Sequence, residues 1–289
     1  LEGNIVLRKT IAAVTGAVAL SLALGSPATA LVTDGLFLNL DARNSASVNP
    51  TSPTQWIDLS TNGFLGTVSG DVSFDAANKA MTFDGTGFVQ LESMTGDFSN
   101  GFTIEFYGNL GQVDEWERVL DFGNGENNDN LILTRDSTSD TLVVHIQNGG
   151  AYEGHCVSPT QSNLGSIAYW TFVVDPDASC RVYRNGVSVE HTMVSEDNLH
   201  FNAMPAVLPR TLNYVAMSNW GSDHPAEGSF RIVRLYERAL TATEVTANVN
   251  EVIPPKLAET GVDPTLPAII GAAVIALGVA LGRRARRLA

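Results

Sequence analysis

Residues 180–190 read Cys180-Arg181-Val182-Tyr183-Arg184-Asn185-Gly186-Val187-Ser188-Val189-Glu190. A β-forming run enters Asn185-Gly186 and a second one leaves it. A two-residue Asn-Gly loop favours a type I′ turn, whose twist matches that of paired strands. The stretch therefore predicts an antiparallel hairpin of 181–184 against 187–190. Asn-Gly recurs at 62–63, 100–101, 124–125 and 148–149. Working outward from the hairpin, short β-forming runs fall at 169–174 and 180–183, then at 142–146, 131–134, 119–122 and 102–106 on the amino-terminal side. Further runs lie at 36–40, 55–59, 67–74, 80–83, 87–91, 214–217 and 230–236. Phe102-Thr103-Ile104-Glu105-Phe106 alternates apolar and polar residues, the period of a strand. Asp84-Gly85 is a hairpin-type turn signal between 80–83 and 87–91. Many short strands with evenly spaced turns predict an all-β antiparallel sandwich rather than alternating βα units.

The chain carries one strong helix signal. Thr241-Ala242-Thr243-Glu244 is a capping box, and Val245 and Val249 follow four apart on one face. Residues 251–256, with Pro254-Pro255, read as an extended linker.

Taken in order, these residues carry a resemblance. Residues 36–41, Trp56-Ile57-Asp58-Leu59-Ser60-Thr61-Asn62-Gly63 and Phe83-Asp84-Gly85-Thr86-Gly87-Phe88-Val89 look like the opening of a LamG-like, concanavalin A-like lectin/glucanase domain. Residues 102–106, 170–174 and 182–186 resemble its middle, and 230–236 with Arg238-Ala239-Leu240-Thr241 its end. The similarity covers 31–250. It implies a two-sheet antiparallel jelly-roll sandwich of about twelve to fifteen strands with a short C-terminal helix. It places Trp56 and Trp170 in the core. The fold hosts lectins, adhesion modules, hydrolases and inert spacers, so it does not by itself assign an activity.

The two ends read as targeting segments. Residues 1–30 have Arg8 and Lys9, an apolar core over 11–24 and the small-x-small site Ala28-Thr29-Ala30, the pattern of a secretory signal peptide. At the other end Leu257-Ala258-Glu259-Thr260-Gly261 precedes an apolar run over 268–281 and the basic tail Arg283-Arg284-Ala285-Arg286-Arg287. Fourteen apolar residues make a helix of about 21 Å, shorter than a comfortable bilayer span. Residues 257–289 resemble the cell-wall sorting signal of Gram-positive surface proteins. The resemblance implies a hydrophobic anchor helix at about 266–282 and sortase cleavage between Thr260 and Gly261, with transfer to peptidoglycan. Ala258 stands where the common motif has Pro, as in the variant of high-GC actinobacteria. The alternative is a plain membrane anchor. The expected location is the outer surface of a Gram-positive wall.

The whole chain holds 17 Lys+Arg against 31 Asp+Glu, a net charge of −14. Setting aside both ends leaves a more acidic segment over 31–260. Such a surface repels nucleic acid. Export favours a disulfide between Cys156 and Cys180, the only two cysteines. Two separate buried thiols are the alternative.

The glucanases of this architecture use a carboxylate pair near Glu-x-Asp-x-x-Glu, because glycoside hydrolysis needs two carboxylates at controlled separation. No such run occurs. Asp114-Glu115-Trp116-Glu117 is the nearest acidic cluster and reads as a solvated loop. There is no Gly-x-Ser-x-Gly elbow and no His-Glu-x-x-His, and the histidines at 145, 155, 191, 200 and 224 are scattered. The expectation is a non-catalytic protein. Calcium is the metal the sequence suits, since Asp121, Asn124, Glu126, Asn128 and Asp129 offer dense oxygen ligands. The same residues serve tight turns equally well. Trp116, Tyr152 and Trp220 are assigned to loops and are the aromatic candidates for stacking on a sugar. The reading is thus a wall-anchored surface module binding a carbohydrate or an extracellular protein. A ligand-free structural spacer is the alternative, and the absent carboxylate pair argues against a glycosidase.

Overall fold

The computed structural model describes residues 30–111 and 115–253. The predicted signal peptide up to residue 29, the sorting motif Leu257, Ala258, Glu259, Thr260 and Gly261, and the predicted anchor helix lie outside the described residues. Among the described residues no helix is long and apolar enough to cross a membrane.

The described chain is an all-β antiparallel sandwich with one helix. Its first strands are β1 (Leu36–Asp41), β2 (Gln55–Ile57), β3 (Leu65–Ser69), β4 (Val72–Asp75), β5 (Ala80–Asp84), β6 (Phe88–Leu91) and β7 (Met94–Thr95). The middle holds β8 (Phe102–Leu110), β9 (Arg118–Gly123), β10 (Leu131–Arg135), β11 (Leu142–Asn148), β12 (Ala151–Val157) and β13 (Ala168–Val174). The last are β14 (Cys180–Arg184), β15 (Val187–Val189), β16 (Thr192–Val194), β17 (Pro209–Arg210), β18 (Leu212–Val215) and β19 (Glu227–Tyr236), then α1 (Ala242–Val252).

One sheet runs β15-β14-β13-β8-β19-β5-β4, with β1 also paired to β19. The other runs β16-β12-β11-β10-β9-β18-β6-β3-β2, and β17 pairs β7 in a small ribbon. The hairpin at Asn185-Gly186 forms as expected, with Tyr183 opposite Ser188 and both turn residues at positive φ, 50° and 79°. The strand count exceeds twelve to fifteen because short ribbons such as β7, β16 and β17 carry no periodic signal.

Two sequence expectations are corrected here. Residues 67–74 are two strands, β3 and β4, that belong to different sheets. Asp84-Gly85 is likewise a crossover, with β5 in one sheet and β6 in the other. Asp84 Oδ1 accepts the Thr86 N–H at 3.0 Å and its hydroxyl at 2.8 Å, a local Asx turn that redirects the chain. The two crossovers lie against each other. A Cβ on Gly70, at φ +72°, would sit 2.5 Å from the Thr86 carbonyl oxygen, so glycine is required there.

The main core lies between the sheets. Leu120, Phe122, Leu131, Leu133, Leu142, Val144 and Ile146 from one sheet join Phe83, Ile104, Phe106, Phe172 and Phe230 from the other. Trp56 and Trp170 are buried, as expected. Cys156 on β12 and Cys180 on β14 form a disulfide, Cα–Cα 6.3 Å, that links the two sheets through this core. Closing such a loop stabilises by about 3 kcal/mol on the chain-entropy model.

The polar face of β8 is not solvated. Helix α1 covers it, starting at the expected capping box, in which Glu244 N–H meets Thr241 Oγ1 at 3.3 Å and Thr241 N–H meets Glu244 Oε2 at 2.8 Å. Beneath the helix Glu105 is fully buried and accepts from Tyr169 Oη at 2.8 Å and Asn248 Nδ2 at 3.0 Å. Arg234 Nη1 lies 3.7 Å from Glu105, and Arg234 Nη2 lies 3.4 Å from Glu251. Residues 251–252, expected in the linker, are therefore helical, and Glu251 ties the helix to Arg43 and Arg234.

Candidate ligand-binding cleft

On β11, Leu142, Val144 and Ile146 point into the core. Side chains alternate along a strand, so His145 and Gln147 face outward from the sandwich. They form part of the floor of a cleft of about 460 Å³ lined by Trp116, Arg118, Asn127, His145, Gln147 and Tyr152 with His155, Trp220, Ser222 and Asp223. All three aromatic candidates, Trp116, Tyr152 and Trp220, thus meet in one place, although more than one hundred residues separate the first from the last.

Each ring is set by a different local device. Trp116 sits in the turn before β9 at φ +56°, a region bulky residues rarely adopt. Its N–H donates to Ser137 O at 3.1 Å and its carbonyl accepts from Arg118 Nη1 at 2.6 Å. Its neighbour Glu117 is buried and bonded to Arg135 Nε at 2.6 Å. The acidic cluster is therefore not a wholly solvated loop, because Glu117 anchors the turn that presents Trp116.

Tyr152 lies on β12 rather than in a loop. The pairing of β11 with β12 shifts by one residue: His145 opposes His155, Ile146 opposes Gly154, and Gln147 opposes Tyr152. Glu153 is the extra residue of this β-bulge, and Gly154 takes φ +126°. The bulge turns Tyr152 onto the same face as His155.

Trp220 is carried by the loop after β18. Ser218 Oγ accepts the Trp220 N–H at 3.0 Å and donates to Asp223 Oδ2 at 2.9 Å. Asn219 donates its N–H to Asp121 Oδ2 and its side-chain amide to Asp121 Oδ1, both at 2.8 Å. Arg118 lies under the ring, its Cζ 5.2 Å from the centroid, and meets Asp223 Oδ2 at 2.9 Å.

Most of the predicted calcium residues make hydrogen bonds within the chain. Asp121 is fully buried and holds the Trp220 loop through Asn219. Asn124 Oδ1 accepts from the Thr211 N–H, Asn128 Nδ2 donates to Asn124 O, and Asp129 Oδ1 accepts from the Gly149 N–H. Glu126 is exposed. Their side chains largely serve backbone bonds of turns, the role that Asn and Asp play locally. Among the described residues no group of three or more His, Cys, Asp or Glu is arranged to hold a metal ion.

The histidines at 145 and 155, scattered in sequence, are cross-strand neighbours with ring centroids 4.4 Å apart. Tyr152 stands edge-on to both, at 5.2 and 4.9 Å. Burial pushes the His145 imidazole down to about 3, with His155 and Arg118 acting in the same direction. Burial pushes His155 down to about 4, against the pull of Asp136. Both rings are neutral at neutral pH. Burial also raises the Asp121 carboxyl and lowers the Arg118 guanidinium, and each opposes the shift of the other.

Among the described residues, four buried polar atoms of the cleft have no hydrogen-bond partner: His145 Nε2, His155 Nε2, Gln147 Oε1 and Arg118 Nε. Buried polar atoms are ordinarily paired. Their concentration beside the exposed Tyr152 and the half-buried Trp116 and Trp220 suits a ligand with apolar faces and many hydroxyls.

Fold and cleft together define a lectin-like β-sandwich. The chain belongs to the concanavalin A-like lectin/glucanases superfamily, whose laminin G type 3 model matches residues 83–246. No curated protein matches it significantly in sequence. Among solved structures it is similar to the binding domain of botulinum neurotoxin DC in complex with rat synaptotagmin II, at TM-score 0.54 and 13% identity, over 76% of this chain and 52% of that one. It thus spans about half the length of the toxin domain. It is also similar to domain 4 of AbnA, an extracellular arabinanase of Geobacillus stearothermophilus in complex with arabinotriose, at TM-score 0.52 and 16% identity, over 75% of this chain and 100% of that one. Identities this low speak to the fold.

Proposed function

We propose that the chain is a non-catalytic binding module, displayed on a Gram-positive wall by its C-terminal sorting signal, whose cleft takes a saccharide. The observation that carries this reading is the meeting of Trp116, Tyr152 and Trp220 around buried polar atoms without partners. Sugar rings present apolar faces that stack on aromatics, and hydroxyls that pair with imidazole and amide groups. The fold supports the reading, since it carries ligand sites in other proteins, including a domain crystallised with arabinotriose and toxin domains whose partners are synaptotagmin and gangliosides. Asp223 in the cleft lining and Asp121 behind it both face Arg118, and they accept from the Ser218 hydroxyl and the Asn219 N–H respectively, an arrangement that favours binding over acid–base cleavage. A glycan array probed with the mature protein tests the reading. Binding to at least one saccharide that disappears in Trp220→Ala is the expected result. A blank array, or binding indifferent to that substitution, removes it.

A further inference from the structure

The cleft's cation is held between two chain carboxylates. Among the described residues lining it, Arg118 is the single permanent cation, and it is 4% exposed. Its Nη2 meets Asp223 Oδ2 at 2.9 Å, and its Nε lies 3.6 Å from Asp121 Oδ2. Its Nη1 donates to Trp116 O at 2.6 Å and Thr134 Oγ1 at 2.9 Å. The Trp220 ring covers its remaining face. The Arg118 Nε has no hydrogen-bond partner among the described residues but lies against Asp121, so a carboxylate brought to the guanidinium would meet two chain carboxylates already there. Asp223 itself lines the cleft. The chain's net charge of −14 adds a repulsive field.

Resting on the saccharide reading, we infer that the cleft selects uncharged sugars and rejects those carrying a carboxylate, the uronic and sialic acids. Asp223 is the specificity-determining residue, because it closes Arg118. A carboxylate placed here would lose its water and meet an anion before any open cation, the juxtaposition that excludes a competing ligand.

The test titrates the mature protein with matched pairs that differ only in charge: lactose-based glycans with and without sialic acid, and oligogalacturonides as free acid and methyl ester. The neutral member of any bound pair should bind at least tenfold more tightly, and Trp220→Ala should weaken that binding at least tenfold. Asp223→Asn keeps the shape, opens Arg118, and should narrow the gap at least fivefold. Equal or tighter Trp220-dependent binding of the acidic member overturns the inference while leaving the saccharide reading intact. Failure of every member of both classes overturns that reading and this inference with it. Should Asp223→Asn fold poorly by its melting curve, the matched pairs on the unaltered chain still decide.

Discussion

Tyr152 and His155 share one face of β12, their ring centroids 4.9 Å apart, although they stand three positions apart in the chain. Residues three apart on a regular strand face opposite sides. The bulge at Glu153-Gly154 reconciles the two and assembles this side of the cleft.

Gly154→Ala should therefore damage both fold and site. Its φ of +126° suits glycine, and a Cβ would lie 3.0 Å from the Val194 carbonyl oxygen. The expected cost is about 1–3 kcal/mol. Denaturant unfolding measures it, and saccharide titration should show binding weakened with it. Unchanged stability would mean that the bulge tolerates a side chain.

Trp220→Ala should act on binding with little effect on folding, because the ring is half-buried at the cleft rim. Losing a central aromatic anchor costs about 1.5–3 kcal/mol, or roughly 10- to 150-fold in affinity. Trp220→Phe should recover part of the loss. Calorimetric titration beside a melting curve separates the two effects.

Acid should destabilise the domain through the histidine pair. Unfolded, each ring titrates near 6.5; folded, His145 and His155 titrate at about 3 and about 4. Between these values the unfolded chain binds protons that the folded chain refuses. Stability is thus fullest above pH 6.5 and falls as pH drops toward 4, by up to about 1.4 kcal/mol per pH unit for each ring. A His145→Gln/His155→Gln variant should show a flatter dependence in chemical denaturation from pH 7 to 4. The same slope in both proteins would contradict this account.

Arg234→Met should be severe. The Arg234 guanidinium faces Glu105 at 3.7 Å and donates to Asn39 Oδ1 at 2.9 Å and Tyr169 Oη at 3.1 Å, all under helix α1. Burial raises the Glu105 carboxyl, so removing its cation leaves an uncompensated acid. The expected loss is about 3–5 kcal/mol, with partial recovery on adding Glu105→Gln. Thermal unfolding of the single and double variants tests the pairing.

The proposed display on the wall rests on residues outside the described ones. Thr260→Ala should move the protein from the wall fraction to the membrane or the medium, as cell fractionation would record. Persistence in the wall would end the sorting proposal.

Much of this protein was legible in the chain alone. Period-two runs and Asn-Gly turns specify an antiparallel sandwich, because strand periodicity and turn chemistry are local properties. The capping box at Thr241 and Glu244 is local in the same way. Cys156 and Cys180 were expected to pair because export favours it, and Trp116, Tyr152 and Trp220 stood out as aromatics in polar surroundings. Tertiary structure decided the rest. Whether Asp84-Gly85 closes a hairpin or crosses between sheets depends on which distant strand each neighbour joins. Mirroring β11 about Gly149-Gly150 would set His145 opposite Gly154, and only the one-residue bulge brings it to His155. Arg118 and Asp223 lie 105 positions apart, and no local pattern announces their pairing. Asp121, a candidate calcium ligand by sequence, holds the Trp220 loop through Asn219, a contact chosen by the three-dimensional neighbourhood and not by the residues beside it in sequence.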